Sequence, residues 1–125
     1  MEEQWTIDFK YNHVWNTTQP YIGFTPDSTN LSVEPMFVSE DSLDFHLQKY
    51  SPLIDAGDPN ILDVDGSRSD IGLYGGPNGE LYFYEDLAPK PPVNLNGAID
   101  SNVVSITWNK NHETDFSHYN IYRET

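Results

Sequence analysis

The 125-residue sequence predicts an all-β protein, and three observations carry that prediction. The segment Trp5-Thr6-Ile7-Asp8-Phe9-Lys10-Tyr11 alternates apolar and polar residues without a break, which is the period of a half-buried strand. No 11-residue window carries an apolar stripe at helical spacing. Short apolar clusters begin at Met36, Phe45 and Leu53, at near-even intervals with polar, Gly or Pro punctuation between them.

The elements follow in order. In the first strand, Trp5, Ile7, Phe9 and Tyr11 share one face and Thr6, Asp8 and Lys10 the other. Met36-Phe37-Val38, Phe45-His46-Leu47, Leu53-Ile54 and Ile71-Gly72-Leu73-Tyr74 are then short strands of a sandwich, a barrel or a solenoid coil. No two-residue Asn-Gly or Asp-Gly hairpin turn joins them, and Asp65-Gly66 sits in a longer polar loop, which favours the coil. Residues 86–95 hold three prolines in four positions, an extended path that blocks helix and reads as a joint. Beyond it, 103–108 is a strand with Val104, Ile106 and Trp108 on one face, and 118–123 is another with Tyr119 and Ile121 together.

The formal net charge is −14 and is unevenly placed. Residues 1–88 hold 16 acids and three bases, whereas 89–125 hold four acids and three bases, so two modules are expected. An acidic surface repels phosphates and anionic lipid, which removes nucleic acid from the expected partners, and calcium becomes the natural cation. No apolar run approaches the ~20 residues of a membrane span, so membrane insertion is not expected. With no cysteine, disulfides, thiolate metal sites and cysteine nucleophiles are excluded. The acidic start Met1-Glu2-Glu3-Gln4-Trp5 lacks the regions of a signal peptide, so the chain is expected to be cytosolic or part of a longer exported polypeptide.

Four motifs in order then carry a resemblance: Glu34-Pro35-Met36-Phe37-Val38; Asp44-Phe45-His46-Leu47; Ser51-Pro52-Leu53-Ile54-Asp55-Ala56-Gly57; and Asp65-Gly66-Ser67-Arg68-Ser69-Asp70-Ile71-Gly72-Leu73-Tyr74-Gly75-Gly76. Together they resemble the C-terminal end of secreted, pectate-lyase-like right-handed parallel β-helix proteins, with Glu34 and Leu73 in place of the family's Asp and Ala. The stretch 11–16 is similar to the last regular rungs. Pro91-Pro92, Leu95, the strand ending at Trp108, Asp115 and Tyr119-Asn120-Ile121-Tyr122-Arg123 resemble the opening strands of a fibronectin type III domain. The resemblances imply terminal β-helix rungs and cap over 1–77, a linker over 78–90 and a partial fibronectin type III-like domain over 91–125. They also imply a bacterial secreted or cell-surface setting, the remainder of a longer polypeptide as partner, and contact with polysaccharide. A coil end needs a cap, and the Asp-, Gly- and Ser-rich loop 55–76 suits that task.

Several constellations remain open. Asp58, Asp63, Asp65 and Asp70 around Gly66 are candidate calcium ligands, since closely spaced carboxylates in a glycine-containing loop can supply its oxygens. The spacing is not that of an EF-hand. The alternative is a turn in which aspartates cap backbone amides while Arg68 pairs with one of Asp55, Asp58, Asp63, Asp65 or Asp70, which makes Asp55 and Arg68 structural. Trp15, Tyr82 and Tyr84 are candidates for stacking on sugar rings, against the alternative that they cover the coil end. Tyr82 and Tyr84 alternate with Leu81 and Phe83, so one pair faces outward. The paired-aspartate, His-Gly and arginine motifs of polygalacturonases and pectate lyases are absent, and no catalytic residue is assigned. The function expected is non-catalytic: a cap and linker. The alternatives are a fragment of a polysaccharide lyase or glycoside hydrolase whose active site lies upstream, and a calcium-dependent glycan-binding or adhesive module.

Overall fold

The computed structural model describes residues 6–124 and is all-β, with no helix among them. Trp5, expected on the first strand, lies outside these residues. Two small antiparallel sheets form: β1 (Phe37–Ser39) with β2 (Asp44–Leu47), and β3 (Asn96–Asp100) with β4 (Val103–Thr107). The rest is held by turns and side-chain hydrogen bonds.

The apolar clusters at 36–38 and 45–47, placed by their spacing on successive turns of a coil, pair with each other antiparallel. The cause is local. Leu43 adopts a left-handed backbone (φ 58°), and its amide donates to Glu40 O at 3.1 Å, so a four-residue turn reverses the chain. The register runs from Phe37 opposite Leu47 to Ser39 opposite Asp44 with a bulge between, and the Phe37 and Phe45 rings meet edge to face at 5.3 Å.

Parallel alignment occurs earlier. The Tyr11 amide donates to Thr29 Oγ1 (3.1 Å) and the Asn12 amide to Asn30 Oδ1 (3.1 Å), while His13 bridges Leu31 in the parallel sense. Those two bonds share one sequence offset of 18 residues, and a constant offset is what distinguishes parallel from antiparallel pairing. Leu31 N donates to Asn12 O and Val14 N to Leu31 O, so 12–14 run alongside 30–33. His13 Nε2 lies 2.7 Å from Val33 O, and since a carbonyl only accepts, that nitrogen carries the proton. The alternating run at 6–10 is not a strand, and Ile7 is exposed; Phe9 instead packs in an aromatic trio with Tyr21 and Phe24.

The core is small: Pro35, Met36, Leu47 and Leu53. The Ser51-Pro52-Leu53 motif closes it. Ser51 Oγ donates to Pro35 O at 2.6 Å and accepts from the Leu53 amide, and Ile71 N donates to Leu53 O. Residues 80–85, expected within a linker, lie on this core: Leu47 N donates to Tyr82 OH and Lys49 N to Glu85 O.

The second sheet contrasts with all this. In β3 and β4 every residue is exposed, including Ile99, Val104 and Ile106 on the apolar face. The strand expected at 118–123 is not formed; Tyr119 packs on Trp108 (5.0 Å) and Phe116 (4.6 Å) instead. The link back to the core runs through residues 109–114. Lys90 N and Asn111 Nδ2 donate to buried Glu113, Asn111 Nδ2 donates to Lys90 O, and Thr114 Oγ1 donates to Tyr50 O.

Candidate functional site

The loop 55–76 is a closed set of hydrogen bonds. Asp63 accepts the Asp70 amide on one oxygen (3.1 Å) and the Gly76 amide on the other. Asp70 accepts the Asp55 amide at 2.8 Å and the Tyr84 hydroxyl at 2.9 Å. Two glycines make this close approach possible. A Cβ at Gly57 would lie 2.7 Å from Ser69 O, and one at Gly75 would collide with the Asp70 carbonyl. Burial pushes the Asp70 carboxyl above its ordinary range despite its two donors, and burial followed by Asp70 pushes the Tyr84 phenol up as well.

Each residue singled out from the sequence has a definite place here. Asp58 accepts the Asn60 amide (2.8 Å) and Asp65 the Ser67 amide (2.9 Å), both two residues on, which is the Asx turn. The Ser67 hydroxyl and amide hold Asp65 below the usual carboxylate range. Asp27 with Thr29 and Asp44 with His46 repeat the device elsewhere, a signal of spacing that was legible in the sequence. Asp55 contributes its amide to Asp70. Among the described residues no three His, Asp or Glu side chains converge as ligands of one ion.

Arg68 corrects an expectation. No carboxylate of the loop lies within 4.0 Å of it; its Nε donates to Gly57 O at 2.8 Å, and its guanidinium sits 5.9 Å from the Tyr11 ring centre. The physical reason is that Asp63 and Asp70 already have amide and hydroxyl donors, whereas the Gly57 carbonyl needs one. Arg68 therefore joins the cap to the 11–14 segment through carbonyl and ring.

The stacking candidates separate. Tyr82 and Tyr84 face inward, edge to face at 5.2 Å, with both hydroxyls hydrogen-bonded, and Tyr82 also meets His46 at 4.5 Å. Their outward partners are Leu81 and Phe83, the latter 95% exposed. Burial raises the Tyr82 phenol, as expected of a covered ring. These two therefore cover the core. Trp15 is different. It lines two adjoining hollows of about 460 and 610 Å³ that also share Asn16 and Glu34.

The trough has walls from both ends of the chain. From one end come Trp15 and Asn16, and from the other come Val93, Trp108, Asn109, Lys110 and His112. Trp15 Nε1 donates to Glu34 Oε2 at 3.2 Å and its ring meets His112 edge to face at 5.7 Å, which fixes the indole. Glu34 also pairs with Lys90 at 3.4 Å. Beneath, burial raises the Glu113 carboxyl, but its own amide, the Lys90 amide, Asn111 and the Lys90 charge outweigh it, and the net shift is downward. Trp108, placed by the sequence on one strand face with Val104 and Ile106, is thus a half-buried wall, and Lys110 and His112 lie beyond that strand.

Comparison with family models, with curated proteins and with solved structures returned no match. Among the described residues, no helix is long and apolar enough to cross a membrane.

Proposed function

We propose that this chain is a non-catalytic cap and joint of a bacterial secreted or cell-surface protein: it closes a right-handed parallel β-helix, leads into a fibronectin type III-like domain, and contacts polysaccharide. The observation that carries the contact is the trough between Trp15 and Trp108, whose walls come from the two segments being joined. Indole faces stack on sugar rings, and the amides of Asn16 and Asn109 are suited to ring hydroxyls. The cap reading is supported by the parallel alignment of 11–13 with 29–31 and by the hydrogen-bonded loop that follows the core. It is also supported by the four ordered motifs.

Electrophoresis through gels containing dissolved polysaccharides tests the contact. The chain should be retarded by at least one polysaccharide, and Trp15→Ala and Trp108→Ala should each abolish the retardation while leaving mobility in plain gel unchanged. Retardation by none, or retardation that survives both substitutions, removes the polysaccharide from the proposal.

A further inference from the structure

We infer that the trough between Trp15 and Trp108 takes a neutral glycan rather than an acidic one, an inference that rests on the polysaccharide-binding reading above. Two facts of charge carry it. The first is local: the ionised side chains lining the two hollows are Glu34, Glu40, Lys90 and Lys110, two acids and two bases that cancel. Lys90 is engaged by Glu34 at 3.4 Å and Glu40 at 3.9 Å, so Lys110 is the one cation of the lining without a carboxylate partner among the described residues. One exposed lysine holds one anionic group weakly.

The second is global. The formal charge is −14, and a polyanion approaching the trough meets that field at every residue beyond the one paired with Lys110. A neutral chain meets none of it. What lines the trough for a neutral sugar needs no charge: Trp15 and Trp108, held by His112 and Tyr119, supply aromatic surface, and Asn16 and Asn109 supply amides for hydroxyls. The two adjoining hollows, which share Trp15, suit consecutive units of one chain rather than a single sugar.

Calorimetry on the full chain with neutral gluco- and manno-oligosaccharides and with an oligogalacturonate of equal length tests this at two salt concentrations. Screening extends over about 30 Å at ~10 mM salt and about 8 Å at ~150 mM. A neutral oligosaccharide should bind at least tenfold more tightly than the uronate at low salt, with the gap narrowing as salt rises and the neutral affinity unchanged. Trp108→Ala should weaken the neutral ligand tenfold or more. Should that variant unfold, the indole proton shifts of Trp15 and Trp108 in the unaltered chain report the same contact. Uronate binding as tight as or tighter than the neutral ligand at low salt overturns the inference and leaves the glycan reading standing. Binding of no sugar, or binding that moves neither indole, overturns the reading beneath it.

Discussion

The cap loop 55–76 and the hairpin β3–β4 differ in an instructive way. The hairpin is the most regular element in the protein, with five residues paired to five, yet all ten are exposed. The cap has almost no regular structure beyond an isolated bridge between Leu62 and Arg68, yet it buries Ser69 and Asp70 and seals Leu53. Ladder bonds satisfy the backbone but do not remove apolar surface from water, and a lone two-stranded hairpin is marginal on its own. In the cap the Asx turns at Asp58 and Asp65 satisfy backbone amides at the surface, and the close approaches at Gly57 and Gly75 accompany the burial of Leu53, Ser69 and Asp70. Burial here does not follow secondary structure.

The sharpest way to break this contrast is to remove equivalent apolar bulk from each region. Leu53 is fully buried, so Leu53→Ala should cost about 2–5 kcal/mol in urea unfolding. Ile99 is 78% exposed, and Ile99→Ala should change stability by no more than about 0.5 kcal/mol. Equal losses would mean that the hairpin has a covered face.

Glycine gives the next test. Gly57→Ala drives a methyl into Ser69 and should cost about 1–3 kcal/mol. At Gly97 in β3 an added methyl meets nothing within 4 Å, and alanine there should be neutral or stabilising by about 0.4–1 kcal/mol through the unfolded chain. Thermal unfolding midpoints of the two variants should therefore move in opposite directions or differ clearly in size.

How much of this was legible in the sequence depends on the range over which each feature is decided. The Asx turns at Asp58 and Asp65 are set by residues two apart, and the type of residue is enough to read them. All-β character was equally legible, since no helical stripe exists to mislead. Strand direction at 36–47 was not, because it turns on the left-handed backbone of Leu43, a residue with no intrinsic preference for it. The partner of Arg68 was hidden for another reason. It depended on which carboxylates had already found donors, a bookkeeping of the whole loop. The trough was hidden too, since Trp15 and Trp108 line one hollow through contacts between residues far apart in the chain: Thr114 with Tyr50, Lys90 with Glu34 and His112 with Trp15.

That docking has a pH signature of smaller size. Glu113 sits below its ordinary value of 4.5 in the folded chain, so its contribution is present above that pH and is lost as pH falls through the lowered value. Asp70 is raised above its ordinary 3.8, so the fold favours its neutral form, and stability is lost as pH rises from there through the raised value. Glu113→Gln should lower stability by about 1 kcal/mol at pH 7 and blunt the acid-side loss, whereas Asp70→Asn should remove the opposite slope. Urea midpoints between about pH 3 and pH 7 check both signs.

Amide hydrogen exchange on the monomeric chain measures the contrast itself. The amides of Gly57, Ser69 and Ile71, which donate to Ser69 O, Ile61 O and Leu53 O, should exchange only through global unfolding. The amides of β3 and β4 should exchange through local opening, orders of magnitude faster, in spite of their ladder. Protection of β3 and β4 equal to that of the cap would contradict the account, because it would require a buried face on a hairpin whose ten residues are all exposed.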